Sequence, residues 1–321
     1  AEAIRQRQLS VRAVATAFLD RIERVNPALN AIVALRDRAD VLKEADAADA
    51  ALSRGEPTGP LHGVPIAIKD LVPTQGLTTT FGSSLYADFV PDADGLSAAR
   101  IRAAGALIIG KTNTPEFGLG SHTYNTVYGT TFNAYDQSLS AGGSSGGAAV
   151  ALAARLLPVA DGSDMGGSLR NPAAWNNVYG LRPTIGRVPQ PAQDDLFSVP
   201  LATDGPMARS AGDLALLLDV MSGPDVRAPF GLPKPDTPFS SIAPLDRPLR
   251  MMWMGDLNGH LPFEPGLMPA ARQAARGLEE AGHRLQDGVP DFDFESLWQA
   301  FVVPVYYTHL RAHETGRNLV C

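Results

Sequence analysis

The chain alternates between stretches with a helical rhythm of apolar positions and shorter, continuous apolar runs. After Ser10, residues Val11, Val14, Phe18, Ile22 and Val25 fall on one helical stripe, which Ser10 can cap and Pro27 is expected to end. Residues 30–35 read as a short strand, and the Ala-rich segment 37–53 as a helix closed by Gly55 and Pro57. Val64, Ile66 and Ile68 alternate as strand residues do and deliver Lys69 to the C-terminal end of that strand. A helix over 96–104 leads through Gly105 into a buried strand at 106–109. A long Gly-, Thr- and Asn-rich stretch, 110–143, precedes a helix over 146–156 and a Gly-rich turn over 161–168. A further helix is predicted over 210–222, with Asp213 placed three residues after the Ser210 cap. A proline-rich connection over 224–248, a strand over 249–254 and a helix over 265–281 complete the pattern, without internal repeats. Strands alternating with helices predict an α/β fold in which helices cover a mixed or parallel sheet.

Composition narrows the class of protein. A chain of 321 residues can bury one large core or two modest ones. With 45% hydrophobic and 19% charged residues it reads as a soluble globular protein, and no apolar run is long enough to span a bilayer. The net charge of −7, with no basic stripe interleaved by aromatics, argues against nucleic acid. A single cysteine excludes an internal disulfide framework and a cysteine-rich metal site. Residues 1–10 lack the apolar core of a signal peptide, so a cytoplasmic enzyme is expected, with the true N-terminus upstream of Ala1. Arginine outnumbers lysine 23 to 4, a bias of GC-rich bacterial genomes, so each of Lys43, Lys69, Lys111 and Lys234 is the less ordinary choice.

Three segments carry candidate chemistry, and each has a plainer reading. In Gly63-Val64-Pro65-Ile66-Ala67-Ile68-Lys69-Asp70, a lysine at a strand end is commonly a solvated cap; withdrawn from water, it becomes an amine able to accept a proton, which Arg cannot. The run Gly142-Gly143-Ser144-Ser145-Gly146-Gly147 alone suggests a linker or an anion-binding loop, but the Ala-rich helix directly after it pins the loop to the core. Asp161-Gly162-Ser163-Asp164-Met165-Gly166-Gly167-Ser168-Leu169-Arg170 alone is a turn before a helix; consecutive N–H groups beside a serine can also form an oxyanion hole. Two other patterns compete. Gly105 to Thr112 fits G-x-x-x-x-G-K-[ST], but its four middle residues are the apolar strand itself and Pro115 spoils the following helix. Gly142 to Gly146 fits G-x-S-x-G, yet the residues before it are polar, and a triad would have to recruit His260 or His283, neither in a distinctive setting.

Taken together the three segments resemble the amidase signature family, almost continuously from Pro60 to Pro189. The likeness includes Pro60-Leu61-His62-Gly63-Val64-Pro65, Gly110-Lys111-Thr112-Asn113-Thr114-Pro115-Glu116, the GGSSGG run, Gly166-Gly167-Ser168-Leu169-Arg170 and Gly180-Leu181-Arg182-Pro183-Thr184. The resemblance implies an α/β/α sandwich with a mixed central sheet, incomplete at the C-terminus, and one amidase domain over 1–306. It implies an amidase that cleaves a linear carbon–nitrogen amide, with Ser168 as nucleophile, Ser144 as proton shuttle after a cis peptide, and Lys69 as base. The N–H groups of Met165, Gly166, Gly167 and Ser168 would form the oxyanion hole, supported by Ser145, Ser163, Asp164 and Arg170. No cofactor or metal is implied; the partner is a small-molecule amide, with a homodimer possible, no membrane, and no nucleic acid unless the protein is amidotransferase-like. The alternatives are a tRNA-dependent amidotransferase component working with companion subunits, or a non-catalytic remnant. Met165 stands where many relatives have Thr, and Asn176-Asn177 replaces a Cys-Gly common in the amidotransferase component. Because relatives extend well beyond Tyr306, the chain alone is expected to fold poorly or to be weakly active.

Residues 307–321 look foreign to the rest. The run from Tyr307 to Thr315 back-translates into a transposase sequencing adapter, and Asn318-Leu319-Val320-Cys321 fits the flow-cell sequence that follows it. Setting this expected non-native tail aside removes two of the six histidines and the single cysteine.

Overall fold

The computed structural model describes residues 1–191 and 201–311. After a first turn, α1 (Glu2–Arg5), comes α2 (Val11–Leu29), where the Ser10 hydroxyl accepts the Ala13 N–H. Pro27 does not end α2, which runs on to Leu29 and stops at Asn30 in the left-handed conformation. A proline in the last turn removes one N–H, whereas reversal of the backbone at Asn30 halts the helix. There follow β1 (Ile32–Val33), α3 (Arg38–Ser53) capped by Asp37, β2 (Pro65–Lys69), α4 (Leu96–Ala103) and β3 (Leu107–Thr112). The glycine-rich stretch after β3 contains only a small hairpin, β4 (Tyr124–Asn125) and β5 (Gly129–Thr130). Next are α5 (Gly146–Ala153), β6 (Val159–Asp164), α6 (Arg170–Trp175), β7 (Tyr179–Gly180), β8 (Thr203–Ala208) and α7 (Ala211–Met221).

Two expectations change here. Helix α5 stops at Ala153 rather than 156, because Arg155 takes a left-handed conformation and folds the chain back onto Ala151. The segment 161–168 is not wholly a turn: Asp161 to Asp164 pair with β8 as part of β6, and the turn begins only at Met165. Gly162 pairs with Gly205, and a Cβ on Gly162 would press on Ser145 and Leu169, so glycine here serves close packing rather than a bend.

The strands form two three-stranded sheets, ordered β1-β3-β2 and β6-β8-β7. The first is mixed, with β1 antiparallel and β2 parallel to β3; the second is antiparallel. Successive strand residues feed two different cores. Ala67, Leu107, Ile109, Ala160 and Met207 pack with α2, α3 and α5, while Ile66, Ile68, Ile108, Val159 and Ala208 pack with α4 and α7. Both faces of the sheet layer are thus covered by helices, which is the α/β/α sandwich the sequence implies. It also explains why β2 is buried at all five positions, so that its alternation is muted in the sequence.

Contacts divide the chain into two compact units, Ala1–Ile242 and Ala243–Cys321. In the second, β9 (Arg250–Trp253) and β10 (Arg284–Asp287) pair in parallel, joined through α8 (Leu267–Glu280). Arg272 on α8 holds Asp287 at 2.8 Å and lies over the Trp253 ring. A last helix, α9 (Phe294–Arg311), crosses the expected boundary at 306; residues 312–321 of the suspected tail lie outside the described residues. No helix among the described residues is long and apolar enough to cross a membrane.

Candidate active site

Lys69 ends β2 in the interior of the first unit, with no exposed surface. Its Nζ donates to Ser144 Oγ at 2.8 Å, to Ser145 Oγ at 2.9 Å and to Ser163 Oγ at 3.0 Å. Two of these serines come from the glycine run before α5, and the third from β6. The run is fixed in place from three directions. Thr123 Oγ1 donates to Gly142 O and accepts the Gly146 N–H, Asn171 Oδ1 accepts the Gly143 N–H, and the Gly147 N–H reaches Asn113 O. The Gly143–Ser144 peptide is cis. At Gly147 the approach is so close that a Cβ would run into the Asn113 backbone nitrogen.

Ser168 follows the turn after β6 and is half-buried. Its carbonyl accepts the Ser145 N–H at 3.2 Å, which ties it to the serine pair. Among the described residues its hydroxyl has no hydrogen-bond partner, so the link from Ser168 to Ser144 is not closed in this state. Asp164 organises the turn: it accepts N–H groups from Gly167 at 2.8 Å and Leu169 at 3.1 Å, and a two-pronged bond from Arg170 at 2.9 Å. Arg182 approaches the same carboxylate at 3.4 Å. Of the four expected oxyanion donors, one already has an acceptor here. The Gly167 N–H is committed to Asp164, leaving those of Met165, Gly166 and Ser168 without acceptors among the described residues. Ser145 and Ser163 accept from the Lys69 amine, and Asp164 and Arg170 meet in the turn before Ser168.

Burial pulls the Lys69 amine down to about 7, against the opposing pull of Asp161, Asp204 and Asp164. Burial likewise pushes Asp161 up to about 6, although its bond from the Lys69 N–H, at 2.9 Å, works the other way. For Asp164 burial acts upward, but Arg170 and the turn N–H groups prevail and hold it below the usual carboxylate range. Lys111 is also buried, pulled down to about 8 by desolvation, and its Nζ is held by Val72 O and Thr74 Oγ1. Its place within β3 removes the phosphate-loop reading.

The four histidines before residue 307 each have another partner. His260 stacks on Phe294 and His283 Nδ1 accepts the Leu249 N–H, both within the C-terminal unit. His122 stacks on Tyr124, and His62 meets Ala48 O. Among the described residues no group of three or more His, Cys, Asp or Glu side chains could hold a metal. The sequence alone does not single out Asp161, Asp204 or Thr123. Asp161 had one usable signal, a carboxylate directly after the apolar pair Val159-Ala160. Asn176, which departs from the Cys-Gly pattern, is buried, and its amide donates to Ala141 O at 2.8 Å and Pro172 O at 3.0 Å.

A three-layer α/β/α unit with a desolvated lysine ringed by serine hydroxyls is the arrangement of an amidase signature protein. The Amidase family model matches residues 13–316, and the chain belongs to that family. It is 40% identical over 308 residues to an acylamidase of Rhodococcus erythropolis, covering 95% of this chain and 64% of that protein. It is 42% identical over 315 residues to a glutamyl-tRNA(Gln) amidotransferase subunit of Thermus thermophilus, covering 97% of this chain and 62% of that one. Among solved structures, a bacterial aryl acylamidase of the amidase signature family superposes with a TM-score of 0.86 at 30% identity, covering 99% of this chain and 67% of that one. The chain spans about three fifths of the length of the curated relatives it matches.

Proposed function

We propose that this protein hydrolyses a linear carbon–nitrogen amide through an acyl-enzyme on Ser168. The observation that carries the reading is the buried Lys69 amine, near neutral in its titration and within 3.0 Å of three serine hydroxyls. At pH 7 a large share of this amine is unprotonated and able to accept a proton. Ser144 passes its proton to Lys69 and takes that of Ser168, whose Oγ attacks the amide carbonyl. The N–H groups of Met165, Gly166 and Ser168 stabilise the oxyanion, a type of contact worth on the order of 100- to 1000-fold in rate per donor. The proton then returns through Ser144 to the departing amine, and water releases the acid by the reverse relay. On this reading residues 1–306 belong to one amidase domain, in a cytoplasmic protein acting on a small molecule. The likeness to acylamidases supports the choice.

Intact-mass analysis after treatment with a serine-reactive fluorophosphonate tests the assignment. One adduct on Ser168 is expected, absent in Ser168→Ala and formed slowly in Lys69→Ala. An adduct on Ser144 would reverse the two serines, and no adduct in the folded protein would refute the acyl-enzyme. The 42% identity to an amidotransferase component favours a second reading, in which the amide is hydrolysed to supply ammonia to a partner. Amide turnover by the protein alone supports the first.

A further inference from the structure

The first sheet ends on β2 and the second on β6, and these two strands lie against each other without a backbone ladder among the described residues. What bridges the seam is a side chain. Asp161 on β6 accepts the Lys69 N–H at 2.9 Å. Lys69 and Asp161 are 0% and 1% exposed, so neither group has water as an alternative partner. The following residues of β6, Gly162 and Ser163, then fit against Ser145: the Ser163 N–H meets Ser145 Oγ at 3.3 Å, and Ser163 Oγ takes the Lys69 ammonium.

We propose that Asp161 is a positioning residue for Lys69, whose carboxylate joins the two sheets at the end of β2 and whose charge favours the ammonium form of the relay lysine. The proposal goes beyond the amidase reading and rests on it only for the kinetic arm of its test. A backbone N–H buried without an acceptor destabilises the strand end that carries the base, so a neutral apolar residue at 161 would not serve. Other charges around the pair come from each packed element. Lys111 lies on β3, Asp70 follows β2, Asp164 is on β6 and Asp204 is on β8, where Ser97 and Gln190 hold it. Helix α5 brings only Gly, Ala, Val and Leu, and the α7 carboxylates Asp213 and Asp219 are engaged with Ser210 and with Phe239 and Ser240. Asp161 is the one of these carboxylates bonded to Lys69 itself. Its removal leaves only Asp204 and Asp164 to oppose burial, so Lys69 should titrate still lower.

The chain has four lysines, so isotopically labelled lysine side chains can be followed individually by NMR, with Lys→Arg variants for assignment. In Asp161→Asn, which keeps an oxygen acceptor but no charge, the Lys69 midpoint is expected to fall by roughly half a unit to one unit. Lys111, which also feels Asp161, should move the same way. An unmoved or raised Lys69 midpoint overturns the proposal; if the Asn variant does not fold, Asp161→Ser carries the same test. The acid limb of the pH–rate profile should follow the Lys69 midpoint. A shifted midpoint with an unshifted limb supports the role of Asp161 and refutes Lys69 as the base, which keeps the two failures apart.

Discussion

At the residue scale, the proposed chemistry rests on a lysine made unlike itself by its surroundings. In the unfolded chain its amine titrates near 10.5, and in the fold near 7. Between those values the folded state binds fewer protons than the unfolded one, so this group's contribution to stability rises with pH and is lowest below pH 7. Lys69→Met removes that penalty together with the three hydrogen bonds. Its stability relative to the parent, read from urea midpoints, should therefore be most favourable at about pH 6.5 and decline towards about pH 9.5. A difference independent of pH would mean that Lys69 is not depressed. The neighbouring turn gives a second test. Arg170→Ala leaves the buried Asp164 carboxylate with only Arg182 and the turn N–H groups, so Asp164 should titrate higher and the turn loosen around Ser168. Turnover should fall about 10-fold or more through kcat, with KM little changed, because binding groups stay in place.

At the scale of elements, the position of the serine run depends on α5, which is buried at seven of its eight residues. A helix apolar on every side must be packed on every side, and glycine makes the tightest of those contacts possible. Gly147→Ala would drive a methyl group into the backbone of Asn113 and Ala31, destabilising the fold by at least about 1–3 kcal/mol in denaturant titration. Removing a cap is milder. Ser210→Ala, at the start of α7, should cost about 1 kcal/mol and leave the site intact. These elements were largely legible beforehand. Caps at Ser10 and Ser210, the helix over 37–53 and the strand ending at Lys69 stood out because local chemistry determines them. What escaped notice depends on distant packing: Pro27 tolerated inside α2, Asp161 to Asp164 drawn into β6 by β8, and the Gly167 N–H claimed by Asp164. The serines and Lys69 were legible as motif residues, but only the family resemblance implied that they meet, since 75 positions separate Lys69 from Ser144.

At the scale of the whole molecule, the division after Ile242 falls inside the proline-rich stretch the composition had marked as a connection. Residues 241–248 are exposed and carry no helix or strand, so a broad-specificity protease should nick the native chain there first. The larger product, resolved by mass spectrometry, should retain Lys69, Ser144 and Ser168. First cleavage within α2 or β6 would contradict that division. The three oxygens gathered around the Lys69 nitrogen have a consequence for hydrogen-bond polarity. An ammonium has three N–H donors and gives one to each serine; the neutral amine keeps two and gains a lone pair, so one hydroxyl must reverse and donate. Ser145 is poorly suited to do so, because its Oγ already donates to the Ser163 carbonyl and accepts the Ser163 N–H. Reversal therefore falls to Ser163 or to Ser144. Each loss of a proton from the lysine reorients a hydroxyl, and the proposed shuttle is one of the two free to turn.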